Sequence, residues 1–328
     1  MTHSKVHSNI VFSQHIDDEL RILIQNYPEG KVFLLTDKTA GGFCLPFIQP
    51  VLDEFAIKYL AIPSGEGNKN IHSVQLAWDF LSNNGADRKS LLINLGGGML
   101  TDLGGFAAST FKRGLDFLNI PTTLLAQVDA SLGGKTGFNF NGLKNEIGVF
   151  MEPNAVLINT NFLKTIDREN FLSGYAEMLK HGLIRSREHW NELLSFSFKN
   201  IDYEALQTII AHSVAIKEWH VINDLTEQNI RKALNFGHTI GHAFESYAMK
   251  TGNPILHGYA VVYGMIAELY LSVKQCGLGM DELKVISDWL VECYGKFEIK
   301  TTDFEALYQL MTHDKKERRQ SHQLYAHS

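Results

Sequence analysis

The chain has 328 residues, 45% of them hydrophobic and 20% charged, with a formal net charge of −6. That length predicts two domains rather than one core, and the composition is that of a globular enzyme, not of a disordered or membrane chain. An acidic balance without a Lys/Arg block before the last few residues argues against nucleic acid as a partner. In chain order, the opening stretch "MTHSKVHSNIVF" has no long apolar run, so neither a signal peptide nor a membrane helix is expected and the cytoplasm is the default location. Short β-rich runs then alternate with helical stretches: "KVFLLTD" (31–37), "IKYLAIPSGEG" (57–67), a helix around "HSVQLAWDFLSNNGA", and "SLLINLGGGM" (90–99). Such alternation predicts a parallel sheet with helices on its faces. After about residue 168 the β-branched runs stop, and "YAEMLKHGLI", "DYEALQTIIAHSVAIKEW" and "GYAVVYGMIAELYLSV" carry helical periodicity. The expectation is an α/β fold: a Rossmann-like parallel-sheet domain over 1–167 followed by an all-α metal-binding domain over 168–328, with a ligand cleft between them.

Two stretches carry chemistry. In "LLINLGGGMLTDLGGFAAS" a strand runs into three glycines and a helix opening near Asp102, a turn whose backbone N–H groups could meet a pyrophosphate. Asp37, ending "VFLLTD", could bind a ribose diol or cap a helix. In "ALNFGHTIGHAFE", His238 and His242 stand four apart, which on a helix puts both imidazoles on one face, the spacing of a two-His metal site. The residue after His238 is Thr239, where a zincin would have Glu, so the pair could be two ligands, one ligand, or neither. The three cysteines, Cys44, Cys276 and Cys293, form no CxxC pair, so any metal must be held by His and carboxylates.

The run "FKRGLDFLNIPTTLLAQVDASLGGKTGFNFNGLKNEIGVFMEP", with "SGYAEMLKHGLI", "IRKALNFGHTIGHAFE" and "ILHGYAVVYGM" after it, resembles the 3-dehydroquinate synthase family, NAD- and zinc-dependent cyclases of the shikimate pathway. The resemblance runs from about residue 30 to residue 316. It implies a metal, zinc or cobalt, held by Glu177, His238 and His257, with His242 facing substrate. It also implies NAD held by Asp37, Glu66, Lys69, Gly97, Gly98, Asp102, Thr122, Thr123, Lys144, Phe162 and Thr165. Substrate contacts are implied for Asp129, Lys135, Lys144, Asn145, Lys180, Lys217, Arg231, Asn235 and His242, and acid–base roles for Glu227 and His242. Arg113 of "KRG" is expected in a neighbouring subunit's site, hence a homodimer. Cations gathered in an acidic chain suit a substrate bearing phosphate and carboxylate. The implied reaction turns 3-deoxy-D-arabino-heptulosonate 7-phosphate into 3-dehydroquinate and phosphate.

Two departures stand out. The family usually has Glu in "HGE", where this chain has Tyr259, which puts the tuning of the metal shell in question. After Asp314, Lys315 and Lys316 the tail turns polar, where relatives continue with a polar turn and an apolar strand. One choice of codons for Glu317 to Ser328, read without its first base, encodes Asn-Glu-Gly-Asn-His-Ile-Asn-Phe-Thr-Leu-Ile, so a shifted reading frame from Glu317 onward is expected, with a genuine divergent tail as the alternative. The alternatives to the implied activity are a sister sugar-phosphate cyclase whose substrate lacks the carboxylate, and a metal-dependent polyol dehydrogenase, which would release NADH.

Overall fold

Strands and helices alternate from the first described residue. In chain order the first part of the structure, a computed structural model, is β1 (Asn9–Phe12), α1 (Ile16–Ile24), β2 (Val32–Asp37), α2 (Lys38–Glu54), β3 (Lys58–Ile62), α3 (Ile71–Asn83), β4 (Leu91–Gly96), α4 (Gly98–Thr110), β5 (Asp116–Pro121), β6 (Lys135–Phe140), β7 (Leu143–Phe150) and β8 (Ala155–Ile158). The structure describes residues 9–141 and 143–317, for 313–317 the backbone alone. Residues 318–328 and the side chains of Lys315 and Lys316 lie outside this description, and the altered reading frame expected after Lys316 falls almost wholly there.

The chain divides into two units, Met1–Ile166 with Asn200–Ala211, and Asp167–Lys199 with His212–Ser328. The first unit thus takes in a short stretch, 200–211, that the sequence places among the later helices. In this unit six strands form one parallel sheet in the order β1-β8-β5-β4-β2-β3. β2 and β4 are buried at every position, the mark of strands covered on both faces. Alternate residues serve opposite layers: Leu34, Ile93 and Leu118 pack with Leu20, Ile48 and Val51 of α1 and α2, while Phe33, Leu35, Leu92 and Phe117 pack with Val74, Leu81 and Leu103 of α3 and α4. β3 ends at Ile62, short of the run to 67 that the sequence suggests, because Pro63 follows and cannot donate to a ladder. β6 and β7 form an antiparallel hairpin that the sequence does not announce.

β2 pairs with β3 on one side and β4 on the other, so the connections reverse direction there. Ligands of open α/β sheets bind outside the carboxyl ends of strands at such a point. Asp37 ends β2, and Gly96, Gly97 and Gly98 lead from β4 into α4.

The second unit is built from α5 (Arg168–Arg185), α6 (Arg187–Ser195), the later part of α7 (Tyr203–Asn223), α8 (His238–Lys250), α9 (His257–Cys276), α10 (Met280–Tyr294) and α11 (Phe304–Glu317). No strand occurs in it among the described residues. Glycines set how closely its helices approach. A Cβ on Gly264 of α9 would lie 1.9 Å from Gly237 O and 2.7 Å from Gly241 N. One on Gly258 would lie 2.0 Å from Ser173 O of α5. Only the absence of those side chains lets α5, α8 and α9 converge.

Candidate active site

The nucleotide-type end of the first unit is built on α4. Gly97, extended at φ −76° and ψ −175°, precedes the helix, and among the described residues no side chain caps it. The sequence predicts a start near Asp102, whereas α4 starts at Gly98. The glycines follow sheet packing here rather than helix propensity: a Cβ on Gly98 would lie 2.8 Å from Ala130 Cβ, one on Gly104 2.1 Å from Asn94 Oδ1, and one on Gly105 2.6 Å from Thr136 Cγ2. An uncapped N-terminus with bare backbone N–H groups is chemically an anion site.

Around it, Lys69 is buried and donates to Asp102 Oδ2 at 2.6 Å and to Asn145 Oδ1 at 2.5 Å. Burial raises the Asp102 pKa, with Glu66 and Asp129 adding to the rise and Lys69 opposing it. Glu66 accepts from Asn139 Nδ2 at 2.8 Å. Asn139 in turn accepts from Asn145 N at 2.9 Å, holding Asn145 at φ +53°. Asp37 Oδ1 caps α2, accepting from Thr39 N at 2.9 Å, Ala40 N at 3.1 Å and Ser64 Oγ at 2.6 Å. Thr122 N donates to Gly96 O, and Thr123 Oγ1 accepts from Ala126 N at 3.2 Å, at the start of the π-helical turn Ala126–Ala130 that carries Asp129. Lys135 opens β6, and Lys144 lies on β7, both exposed.

Two expected residues stand apart from this group. Phe162 is wholly buried in the core, edge-on to Phe47, so only its backbone could meet a ligand; Thr165 donates to its carbonyl at 2.9 Å. Arg113 lies beyond the far end of α4, about 20 Å from Gly98 at 1.5 Å per residue, where it lines an open hollow of about 630 Å³ with Asp87, Arg88, Lys89 and Lys112.

In the second unit, Glu177 of α5 is completely buried, and its Oε1 has no hydrogen-bond partner among the described residues. That oxygen faces His238 Nε2 at 3.5 Å and His257 Nε2 at 3.7 Å. Each imidazole is aimed by its other nitrogen, Nδ1 of His238 at Phe236 O (3.2 Å) and Nδ1 of His257 at Glu245 Oε2 (3.5 Å). Outer partners on Nδ1 that leave Nε2 for the ion are the usual support of a metal-binding histidine. Glu177 Oε2 pairs with Lys180, also buried. Despite burial, Lys180 and the two imidazoles hold the Glu177 carboxyl well below the usual range. Burial and the Lys180 charge push His238 far down, so its ring is neutral as a ligand must be. Burial opposes protonation of His257, but the neighbouring carboxylates of Glu177 and Glu245 carry it up to about 9. An orphaned buried carboxylate oxygen facing two Nε2 atoms suits a divalent metal with open positions.

His242 is also close: donor atoms of His238, His242 and His257 all lie within 4.8 Å of one another. Two overlapping donor sets therefore share His238 and His257, and the choice between Glu177 and His242 as third ligand rests on burial. A carboxylate oxygen without hydrogen, sealed from water, needs a cation more than a half-buried imidazole does.

Asn235 donates to Glu227 Oε1 at 2.5 Å. The loop carrying Glu227 and Arg231 is organised by Asp224, which accepts from Gln228 N, Asn229 N and Arg231 N. Lys217 of α7 and Arg231 are buried.

Three residues were not expected: Asp224; Glu245, seven after His238 on the same helical face; and Glu268, which accepts from Gly237 N at 2.9 Å. Tyr259 packs edge-on against Tyr294, ring centroids 5.1 Å apart, and the carboxylate behind the metal-type cluster is Glu245. Cys44, beside Asp37, is buried and its thiol is pushed up to about 12 by that burial and the aspartate, which leaves it unreactive.

A parallel nucleotide-type sheet and a helical unit with a His/Glu cluster define a class, and solved structures share its fold. A 2-epi-5-epi-valiolone synthase from Streptomyces hygroscopicus, with NAD+ and Zn2+ bound, superposes with a TM-score of 0.81 at 24% identity, over 97% of this chain and 89% of that one. A 2-deoxy-scyllo-inosose synthase with carbaglucose-6-phosphate, NAD+ and Co2+ gives 0.81 at 22% identity, over 94% and 86%. At such identities the likeness establishes the fold alone. The sequence goes further: residues 59–173 match the family described as 3-dehydroquinate synthase N-terminal, and 174–317 its C-terminal counterpart. A 3-dehydroquinate synthase of Parabacteroides distasonis is 48% identical over 307 residues, 94% of this chain and 87% of that protein. The chain belongs to the 3-dehydroquinate synthase family.

Proposed function

We propose that the protein converts 3-deoxy-D-arabino-heptulosonate 7-phosphate into 3-dehydroquinate and phosphate, acting as an NAD-dependent, phosphate-eliminating lyase. The observation that carries this reading is the convergence of Glu177, His238 and His257 in a chain of this family. These three would hold the divalent metal, zinc or cobalt, and Glu245 and the Phe236 carbonyl would keep the imidazoles aimed. NAD would be held at the N-terminus of α4, with Lys69, Asp102 and Glu66 around it. When bound, the metal supplies Lewis acidity toward substrate hydroxyls, and NAD a reversible hydride acceptor.

The chain's own groups do the rest. Lys135, Lys144, Lys217 and Arg231 bring positive charge to a substrate bearing phosphate and carboxylate. Asn145 and Asn235 orient its hydroxyls. Lys180 keeps Glu177 ionised. Glu227 and His242 are within the family's acid–base positions and hold or move protons, and Asp129 accompanies them. Holding the chain in one conformer favours ring closure by proximity. Substrate and products differ by no net oxidation, so NAD returns unchanged.

Arg113 is assigned to the site of a neighbouring subunit, which makes the working enzyme a homodimer, and we place it in the cytoplasm; among the described residues no helix is long and apolar enough to cross a membrane. Incubation with the heptulosonate, NAD and zinc tests the reading: phosphate is released with no net rise in NADH absorbance. Accumulating NADH would identify a polyol dehydrogenase instead, and inertness toward this substrate but turnover of a sugar phosphate lacking the carboxylate would identify a sister cyclase.

A further inference from the structure

A second set of metal-type donors lies on α6 and α7, with no residue in common with the cluster above. His189 and Glu192 stand three apart on α6, hence on one face, and His212 faces them from α7. Glu192 Oε2 lies 2.9 Å from His189 Nδ1 and 3.1 Å from His212 Nδ1, and all three donor atoms fall within 4.8 Å of one another. The two rings are nearly perpendicular, at 86°, with their Nδ1 atoms turned to one point.

The distances suit an ion. Zinc bonds of about 2.0–2.2 Å in a tetrahedron separate ligand atoms by roughly 3.3–3.5 Å, so the observed gaps need open by only a few tenths of an ångström. His189 is fixed in place: it is buried, and its backbone N–H donates to the α6 capping residue Ser186 at 3.1 Å. Its Nε2 has no hydrogen-bond partner among the described residues. Nδ1 is thus the ring nitrogen with a partner, and it is the one turned to Glu192. The opposite side is open, with the side chains of Glu192 and His212 31% and 55% exposed, so an ion and a water ligand can enter from solvent. Burial lowers the His189 pKa against the pull of Glu192, and His212 and His189 hold Glu192 low against burial. Neutral imidazole and ionised carboxylate are the forms a metal binds.

We infer that His189, Glu192 and His212 bind a divalent transition metal, zinc above others, as a second site whose shell is completed by water. The ion would clip α6 to α7, the helix that carries Lys217 five residues beyond His212. Such a clip stabilises the folded protein by an amount that rises with the logarithm of free metal above its dissociation constant.

Full-length protein stripped by a chelator and dialysed against buffered free Zn2+ tests this by metal counting. The wild type is expected to hold two equivalents per chain. His212→Ala and Glu192→Gln each lose one equivalent and keep their turnover. His257→Ala also loses one but loses turnover with it, so failure of the two sites can be told apart. His212 is exposed, so its substitution leaves the core untouched. A His212→Ala protein as zinc-rich as the wild type overturns the inference.

Discussion

Replacing Glu245 with Gln isolates what the carboxylate behind His257 contributes. Glu245 is 8% exposed, and its Oε2 faces His257 Nδ1 at 3.5 Å. The amide keeps volume and can still accept a hydrogen bond, but the negative charge that makes the imidazole a stronger donor is gone. Removing such an outer partner costs about 10- to 100-fold in metal affinity, or about 1.4–2.8 kcal/mol. The amide stays able to hydrogen-bond, so the cost to folding should stay near that of one hydrogen bond to a charged group, about 1.5–3 kcal/mol. Competition against a chromophoric zinc chelator measures the affinity, and urea unfolding of the same sample measures the fold. Phosphate release should fall at limiting zinc and recover at saturating zinc, the signature of a residue acting through a ligand. A Glu245→Gln protein that folds normally and binds zinc as tightly as wild type would refute the role assigned to this carboxylate.

His238→Ala and His257→Ala are expected to lose the active-site metal, while His242→Ala keeps it and loses turnover; a His242→Ala protein stripped of that metal would instead place His242 in the ligand set. Gly264→Ala forces a Cβ to 1.9 Å from Gly237 O, an overpacking expected to cost about 1–3 kcal/mol and, by displacing His238, to weaken metal binding; urea midpoints equal to wild type would contradict the close helix crossing. Glu268 is raised to about 7 by burial, against the Gly237 bond. Its proton is therefore held more tightly in the folded chain, so its contribution is favourable at low pH and is lost as pH rises from about 4.5 toward 7. Relative to Glu268→Gln, the wild type should lose stability on the order of 3 kcal/mol across that window; a difference that stays constant between pH 5 and 8 would exclude it.

Much of the fold was legible because parallel strands covered on both faces leave continuous apolar runs, and β2 and β4 are such runs. The hairpin of β6 and β7 was not, since β7 has no fully buried position and so leaves no alternation to read. For the metal-type cluster, the i, i+4 pair of His238 and His242 was visible as a shared helical face, and the structure does gather both rings. What the residues alone could not supply is Glu177 and His257, remote in sequence and brought in by glycine crossings at Gly237, Gly258 and Gly264 whose closeness has no one-dimensional pattern. The family resemblance supplied those positions. Glu245, Glu268 and Asp224 escaped because a carboxylate on or beside a helix usually belongs to a solvated face, and only burial distinguishes these three.

Catalytic use of NAD is the claim on which the whole account turns. Chelator-stripped enzyme reloaded with zinc, given excess 3-deoxy-D-arabino-heptulosonate 7-phosphate and NAD well below one equivalent of substrate, should release phosphate far beyond the NAD added, with no NADH left over. Phosphate release that stops at one equivalent of NAD, or NADH that rises with it, would contradict the account.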